Sequence, residues 1–359
     1  MQVVVFGLTV SSSWGNGHAT LWRGLIRALA RAGHKVTFYE RDVPYYAAHR
    51  DLHALEGARL KLYAEWGDVL ADKAEILAAD AAIVTSYCPD AIAAAGLIEG
   101  ARGTTIFYDL DTPVSLARLE AGETVEYFPA AGLGQFDLVL SYTGGPALHA
   151  LQDRLGARLA APLYGHVDPD HHRPADPRDA FAGDLSYLGT YANDRQALVD
   201  ELLIEPARAA PARRFVLGGS GYPERFPWQP NIYFVRHVPP GDHPAFFSSA
   251  RWTLNVTRRD MAAWGWCPSG RLFEAAACGA PIISDRWPGL EEFLTPGEEL
   301  VIAGTRGDVL AALEMDEAER LRMASRARER VLAEHSSAHR AAELVALIES
   351  ARTAPAVAA

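Results

Sequence analysis

Apolar residues follow two alternating rhythms along the first half of the chain. Gln2 to Leu8 reads as one continuous apolar run, the pattern of a strand covered on both faces. From Ala19 to Ala32 the spacing turns helical, with Trp22, Leu25, Leu29 and Ala32 on one face, and Gly33 supplies a stop. Lys35–Tyr39, Ala81–Thr85, Thr104–Tyr108 and Leu138–Ser141 follow as strands, with helices at Val69–Ala79 and Pro146–Leu155. Strand and helix alternate, which predicts a parallel, doubly wound α/β sheet.

Between Pro162 and Pro177 the rhythm breaks into a stretch rich in Pro, Gly, Asp and His, as expected of an interdomain linker. It then restarts. Leu185–Leu188, Phe215–Leu217, Ile232–Val235, Trp252–Val256 and Pro281–Ser284 read as strands. Arg195–Leu203, His243–Ser249, Gly270–Cys278 and Ala318–Ala333 read as helices. A last helical period, Ala338–Ile348, carries Ala341, Leu344, Val345 and Ile348 on one face, and the small-residue tail from Arg352 should fray. The expected organisation is a first domain at 1–165, a hinge at 166–177, a second domain at 178–335, a terminal helix at 336–351 and a tail at 352–359. The 359 residues suit two domains.

Charge narrows the partners. The formal net charge of -11 repels phosphate backbones and anionic headgroups, so nucleic acid is not an expected partner. A small diphosphate stays possible, because a few local donors suffice to hold one. The basic residues from Arg320 to Arg330 alternate with Glu317, Glu319 and Glu329 and read as a solvated helix face. Cys88, Cys267 and Cys278 have neither zinc-site nor redox-pair spacing, and such a sparse set suits the cytoplasm. The N-terminus lacks a basic leader and a cleavage site. No stretch nears the roughly 20 apolar residues of a membrane span; the nearest, Ala78–Ile98, is interrupted by Asp80, Ser86, Pro89 and Asp90.

Ligands of open α/β sheets bind beyond the C-terminal strand ends, so the loops there carry the candidate chemistry. The first strand is followed by Thr9–Ala19, in which Gly15 and Gly17 allow close backbone approach. The helix opening near His18 aims free N–H groups at whatever binds there, a cradle for a phosphate or a sugar. His18 is placed to orient or deprotonate a hydroxyl. The loop is neither a Gly-x-Gly-x-x-Gly fingerprint, since Thr20 stands at the third glycine, nor a Walker loop, which argues against a nicotinamide dehydrogenase. Beyond the Thr104 strand lies Asp109-Leu-Asp111-Thr-Pro113. Asp111 or Thr112 suits a helix cap, leaving Asp109 for chemistry. In the second half, Gly218-Gly219-Ser-Gly follows a strand and lets backbone approach a diphosphate or a base. The strongest local signal starts at Asn255, where a strand end exposes Arg258 and Arg259. Ser269 and Gly270 then open a helix as cap and first residue, Arg271 adds a cation to its first turn, and Glu274 lies one turn on. A carboxylate beside an anion site suits hydrogen bonds from ribose hydroxyls.

Ser269-Gly-Arg-Leu-Phe-Glu-Ala-Ala-Ala-Cys-Gly-Ala-Pro-Ile-Ile-Ser-Asp285, followed by Trp287–Phe293 and Pro296–Glu299, resembles the donor-binding motif of GT-B glycosyltransferases, closest to the CgeB-type, spore-maturation-protein-like family. Gly165–Pro174 resembles their hinge, and Gly15-Asn-Gly-His18 their N-terminal glycine loop. The resemblance spans about residues 1–350. It implies two Rossmann-like domains facing a central cleft, the first on the acceptor side, the second binding a nucleotide-sugar donor, UDP-linked by preference, and the terminal helix crossing back to the first. It implies no metal ion and no cofactor besides the donor substrate. By the same resemblance Glu274 binds the ribose, Arg271, Ser269 and Gly270 face the diphosphate, and His237 and Val238 lie near the base. The sequence departs from the related family 4 pattern at one place: eight positions before Glu274, where a second Glu is usual, stands Trp266. Retention and inversion therefore stay open, as do an epimerase-like reaction and a non-catalytic nucleotide-binding role. Acceptor, donor sugar and oligomeric state are not named by the sequence.

Overall fold

Strand β1 (Gln2–Gly7) sends Val3 and Val5 to one side of its sheet and Val4 and Phe6 to the other, each pair joining a separate buried cluster. This two-sided burial is why the strand reads as a run rather than an alternation. The computed structural model describes residues 1–353 and divides into two units, one of Met1–Tyr164 with the segment from Ser337 on, the other of Gly165–Ser336.

In the first unit β2 (Lys35–Arg41), β3 (Arg59–Tyr63), β4 (Ala81–Thr85), β5 (Thr104–Asp109), β6 (Leu138–Ser141) and β7 (Ala160–Pro162) complete a seven-stranded sheet of order β3-β2-β1-β4-β5-β6-β7. Every pairing is parallel. The order reverses between β1 and β4, so the connections after these two strands leave in opposite directions and open a crevice at their C-terminal ends. The helix Ser337–Thr353 packs on the helix His18–Arg31, with Ala341, Leu344 and Ile348 in the cluster that holds Trp22, Leu25 and Leu29.

The connection after β1 is braced from beneath by one buried carboxylate. Glu40 accepts from the hydroxyls of Thr9 and Ser11 and from the backbone N–H groups of Val10 and Ser11. Arg23 donates to the Val10 carbonyl and pairs with Asp51, which also accepts from Ser13.

The second unit repeats the plan. β8 (Gly183–Leu188), β9 (Phe215–Gly219), β10 (Ile232–Arg236), β11 (Ala250–Asn255), β12 (Ile282–Ser284) and β13 (Val301–Ile302) form a sheet of order β10-β9-β8-β11-β12-β13. Its pairings are also parallel, and its order reverses between β8 and β11. Leu185, Tyr187, Phe215, Leu217, Trp252, Leu254 and Ile283 fill one core face.

Several expectations need correction. The helix expected at Val69–Ala79 is two short helices, Trp66–Leu70 and Lys73–Ala78. Asp72 interrupts it, because its carboxylate accepts from Tyr39 and Lys61. The stretch expected as a simple helix from Arg195 passes through a 3-10 turn at Asn193–Arg195 and a π turn at Asp200–Ile204 before closing at Glu205–Ala209. Pro206 has no N–H to donate and crowds the preceding turn, which the wider π turn accommodates. Arg320 is not on a solvated face. It is buried, donating to the Arg251 carbonyl while pairing with Glu317. Ser269 holds the cap position of the helix Gly270–Ala277, but its side chain makes no capping bond. Arg352 and Thr353 are helical, and the rest of the tail expected to fray lies outside the described residues. Among the described residues no helix is long and apolar enough to cross a membrane.

Removing Glu40 strands two buried N–H groups and two hydroxyls. Glu40→Ala should therefore lower unfolding free energy by about 2–4 kcal/mol. Urea unfolding monitored by tryptophan fluorescence measures it, and a change under about 0.5 kcal/mol would remove Glu40 as the brace.

Candidate functional site

In the first unit the loops after β1, β4 and β5 bring together His18, Tyr87 and Asp111. Gly15 has a φ of +61°, which lets the β1 connection turn, and Gly17 precedes the first helical residue, His18. Asn16 ties the turn, its amide donating to the Thr9 carbonyl and its oxygen accepting from the His18 N–H. The His18 Nε2 lies 3.9 Å from an Asp111 oxygen, near enough for attraction once the imidazole is protonated. The same oxygen accepts from the Tyr87 hydroxyl at 2.9 Å. Tyr87 itself sits at a φ of +64°, a conformation a side-chain-bearing residue adopts only when held there. Burial and the neighbouring Asp111 push its phenol well above the ordinary range.

The sequence leaves Asp109 for chemistry and gives Asp111 or Thr112 the cap, whereas the structure arranges the two carboxylates differently. Asp111 occupies the cap position of the helix Thr112–Glu120, yet its side chain makes no capping bond and faces Tyr87 and His18 instead. Thr112 bonds Ser141 rather than capping. Asp109 is fully buried, one oxygen accepting from the Asp111 N–H and from Ser115, the other without a hydrogen-bond partner. Burial pushes its carboxyl up to about 6. Asp109 thus lies behind Asp111, which is the half-buried carboxylate beside His18.

In the second unit the centre is Arg271, in the first turn of the helix Gly270–Ala277. Its guanidinium donates to the Asn255 side-chain oxygen at 3.0 Å and lies 5.3 Å from the centre of the Tyr187 ring. Asn255 ends β11, and its amide nitrogen donates to Ser284, so the oxygen is left for Arg271. Tyr187 belongs to β8, so both supports stand at the point where the strand order reverses. Burial pulls the guanidinium below its ordinary pKa, and Arg195 adds to the effect as a like charge nearby. Arg258 joins this region through Asp194, at 2.7 Å. Arg271 and Arg195 thus lie within electrostatic reach of each other, with the Arg258–Asp194 pair beside them, an arrangement that suits an anion. Arg259, expected to share the strand end, is exposed and begins the helix Arg259–Trp264.

The glycines beside this centre are there for space. Gly219 has a φ of +150°, and a Cβ on it would lie 2.0 Å from the Gly189 carbonyl. The His237 N–H donates to the Gly219 carbonyl, and His237 adopts a φ of +53°. Val238 follows, buried against Gly218. Gly219, His237 and Val238 thus converge, as do Ser269, Gly270 and Arg271. Glu274, a turn beyond Arg271, faces two histidines: its oxygens lie 3.8 Å from His172 Nε2 and 3.9 Å from His243 Nδ1. His172 was read only as part of the linker, and His243 only as a helix start. Asn255, Arg195 and Tyr187 were also missed, although a polar residue closing a buried strand, such as Asn255, was a usable signal.

Trp266 is held firmly. It has a φ of +43°, its N–H donates to the Pro288 carbonyl at 2.7 Å, and its indole N–H donates to Glu292. A Cβ on Gly289 would lie 2.6 Å from its ring, so that glycine makes room for the indole.

Two parallel, doubly wound sheets, each with its polar and glycine-rich loops at the reversal of strand order, make this the GT-B glycosyltransferase fold. Residues 195–346 match a family described as glycosyl transferase-like. Among solved structures, the sucrose-phosphate synthase of Thermosynechococcus elongatus superposes with a TM-score of 0.68 at 15% identity, covering 97% of this chain and 98% of that one. Anabaena HepE in complex with UDP and glucose gives 0.68 at 14% identity, covering 98% and 100%. The catalytic domain of starch synthase IV from Arabidopsis thaliana, bound to ADP and acarbose, gives 0.66 at 12%, covering 98% and 99%. No curated protein matches the sequence.

The buried Asp109 makes stability depend on pH in a definite direction. Its carboxyl titrates at about 6 when folded against 3.8 when unfolded. Below the lower value both states are protonated and nothing is lost. As pH rises through that window the folded state must accept a buried charge, costing on the order of 3 kcal/mol once both are ionised. Asp109→Asn removes this loss, so its stability relative to the native chain should improve between pH 4 and pH 7. Urea midpoints at the two pH values test it; a gap that does not change with pH would refute it.

Proposed function

We propose that this chain transfers a sugar from a nucleoside-diphosphate sugar, UDP-linked by preference, to an acceptor hydroxyl, without a metal ion. The observation that carries the reading is Arg271, held by Asn255 over Tyr187 at the start of an eight-residue helix, beside Gly189. A departing diphosphate needs donors fixed where its charge develops, and here a helix N-terminus and arginines are fixed in advance. In this reading Arg271, with Arg258 and the backbone of Ser269 and Gly270, takes the diphosphate. Glu274 accepts from the ribose hydroxyls, and Gly219, His237 and Val238 border the base. UDP in the HepE complexes and ADP in the starch synthase complex are consistent with a nucleotide on this fold. A closer kinship to the CgeB-type family rests on the Ser269–Asp285 motif, and a cytoplasmic location on a sparse set of cysteines with neither zinc-site nor redox-pair spacing.

On the acceptor side His18 takes the hydroxyl proton, with Asp111 stabilising the imidazolium and Tyr87 fixing Asp111. The acceptor oxygen then bonds to the anomeric carbon as the bond to the diphosphate breaks. Gly15 and Gly17 shape the loop, and the buried Asp109 supports Asp111 through its N–H. A base of this kind serves direct displacement, and Trp266 offers no carboxylate for a covalent intermediate. We therefore propose inversion at the anomeric carbon.

Calorimetry with UDP, GDP, TDP and ADP, with and without Mg²⁺, tests the donor. One diphosphate should bind clearly, Mg²⁺ should not alter its affinity, and Glu274→Ala should weaken it. No binding by any of the four would sink the reading. Once the donor is known, Arg271→Ala should cut kcat/KM about a hundredfold or more with an unchanged melting temperature. Near-normal turnover would remove Arg271 from the leaving-group site.

His18→Ala should lower kcat by about 10²–10⁴, and Asp111→Asn by a smaller factor. If His18→Ala leaves kcat intact, the base lies elsewhere. An NMR spectrum of the product reads the anomer, and retention would overturn the direct displacement. Nucleotide binding with no transfer to any hydroxyl would favour the binding-protein alternative to which Trp266 lends support.

A further inference from the structure

We propose that His172, His243 and Glu274 form a divalent-cation site suited to Zn²⁺, and that filling it withdraws Glu274 from the nucleotide. The second half rests on the ribose reading of Glu274 above.

Three separate elements supply the ligands. His172 follows a turn in which its N–H donates to the Asp168 carbonyl. His243 opens the helix His243–Ser249, and Glu274 comes from the helix Gly270–Ala277. The three ligand atoms lie within 4.8 Å of one another. Ligands about 2.0–2.2 Å from a tetrahedral zinc stand roughly 3.4 Å apart, so small side-chain rotations close the set.

The state of the histidines is the independent observation. His172 is 1% exposed, and neither of its ring nitrogens has a hydrogen-bond partner. A buried polar atom left without a partner is unfavourable, and a bound ion would relieve that at Nε2. His243 lacks a hydrogen-bond partner at Nδ1, while its Nε2 lies 3.2 Å from the Val238 carbonyl. That contact places the proton on Nε2 and leaves the Nδ1 lone pair facing Glu274. A metal-bound histidine is commonly oriented by a carbonyl in this way. Two imidazoles and one carboxylate favour zinc over magnesium or calcium, which prefer oxygen alone.

Each carboxylate oxygen faces a different histidine. Glu274 therefore cannot hold an ion in this cluster and also accept freely from a ribose diol. Zinc and nucleotide should compete.

The test is calorimetry of the full chain, freed of metal with a chelator, titrated with ZnCl₂ and, in parallel, with CoCl₂ followed by visible absorption. One ion per chain and a tetrahedral cobalt spectrum are expected. His172→Gln and His243→Gln should each weaken zinc by more than about tenfold and abolish the spectrum. No binding by the native chain, or undiminished binding by His243→Gln, overturns the site. Should His172→Gln fail to fold by circular dichroism, the half-buried His243 decides alone. Titrating UDP with and without zinc tests the competition: affinity should fall at least about fivefold with zinc present. Equal affinity overturns the antagonism. A chain that binds zinc but never UDP refutes the transferase reading and the antagonism while leaving the ion site standing.

Discussion

A parallel strand covered on both faces cannot offer chemistry along its length, only at its ends. In this protein that constraint decides where the groups of the two candidate centres, around His18 and around Arg271, are found. β1 and β8 are buried on both sides, and each sheet reverses its strand order beside them. The reversal leaves a crevice that no crossover fills. His18, Tyr87 and Asp111 come from loops that leave β1, β4 and β5, and Asn255 and Arg271 stand where β8 meets β11. The buried Glu40 belongs to the same logic. A long loop next to an apolar core needs partners for its polar groups, and one carboxylate supplies them for the N–H groups of Val10 and Ser11 and the hydroxyls of Thr9 and Ser11.

The two sites are prepared in opposite electrostatic senses. Arg271 lies within reach of the like charge of Arg195, Arg258 is held nearby by Asp194, and burial weakens the hold of Arg271 on its proton. A cluster of this kind is more stable with an anion than without one. In the first unit the excess is negative. Asp109 and Asp111 lie two residues apart, and burial raises Asp109 toward neutrality. This leaves Asp111 as the carboxylate that an imidazolium at His18 would meet. A cationic centre fits a departing diphosphate, and an anionic one fits a group that gains a proton.

Much of this was legible in the sequence where one physical cause dominates. Leu138–Ser141 and Pro146–Leu155 coincide with the observed elements because their hydrophobic pattern meets no competing interaction, and a proline opens the helix. Val69–Ala79 failed because Asp72 is drawn to Tyr39 and Lys61, partners that only folding brings near. Arg320 failed for a similar reason, since its carbonyl acceptor lies on another element. At the candidate sites, Arg271 and Glu274 stood out because a helix start with a cation is a local pattern. Asp111 was read as a cap because that is what an Asp at this position usually does, and nothing nearby in sequence reveals Tyr87 pulling it away. His172 and His243 are far apart in sequence, and no spacing rule joins them.

Trp266 shows how a departure from a family pattern can be structural rather than a loss. The position has left-handed backbone, an N–H committed to the Pro288 carbonyl, and an indole lying on Gly289. Such a conformation costs a β-carbon-bearing residue about 1 kcal/mol or more and persists only when its surroundings impose it. A glutamate here would lose the indole's packing and its bond to Glu292, and would bring its charge toward that carboxylate. The loop is thus built around an aromatic ring.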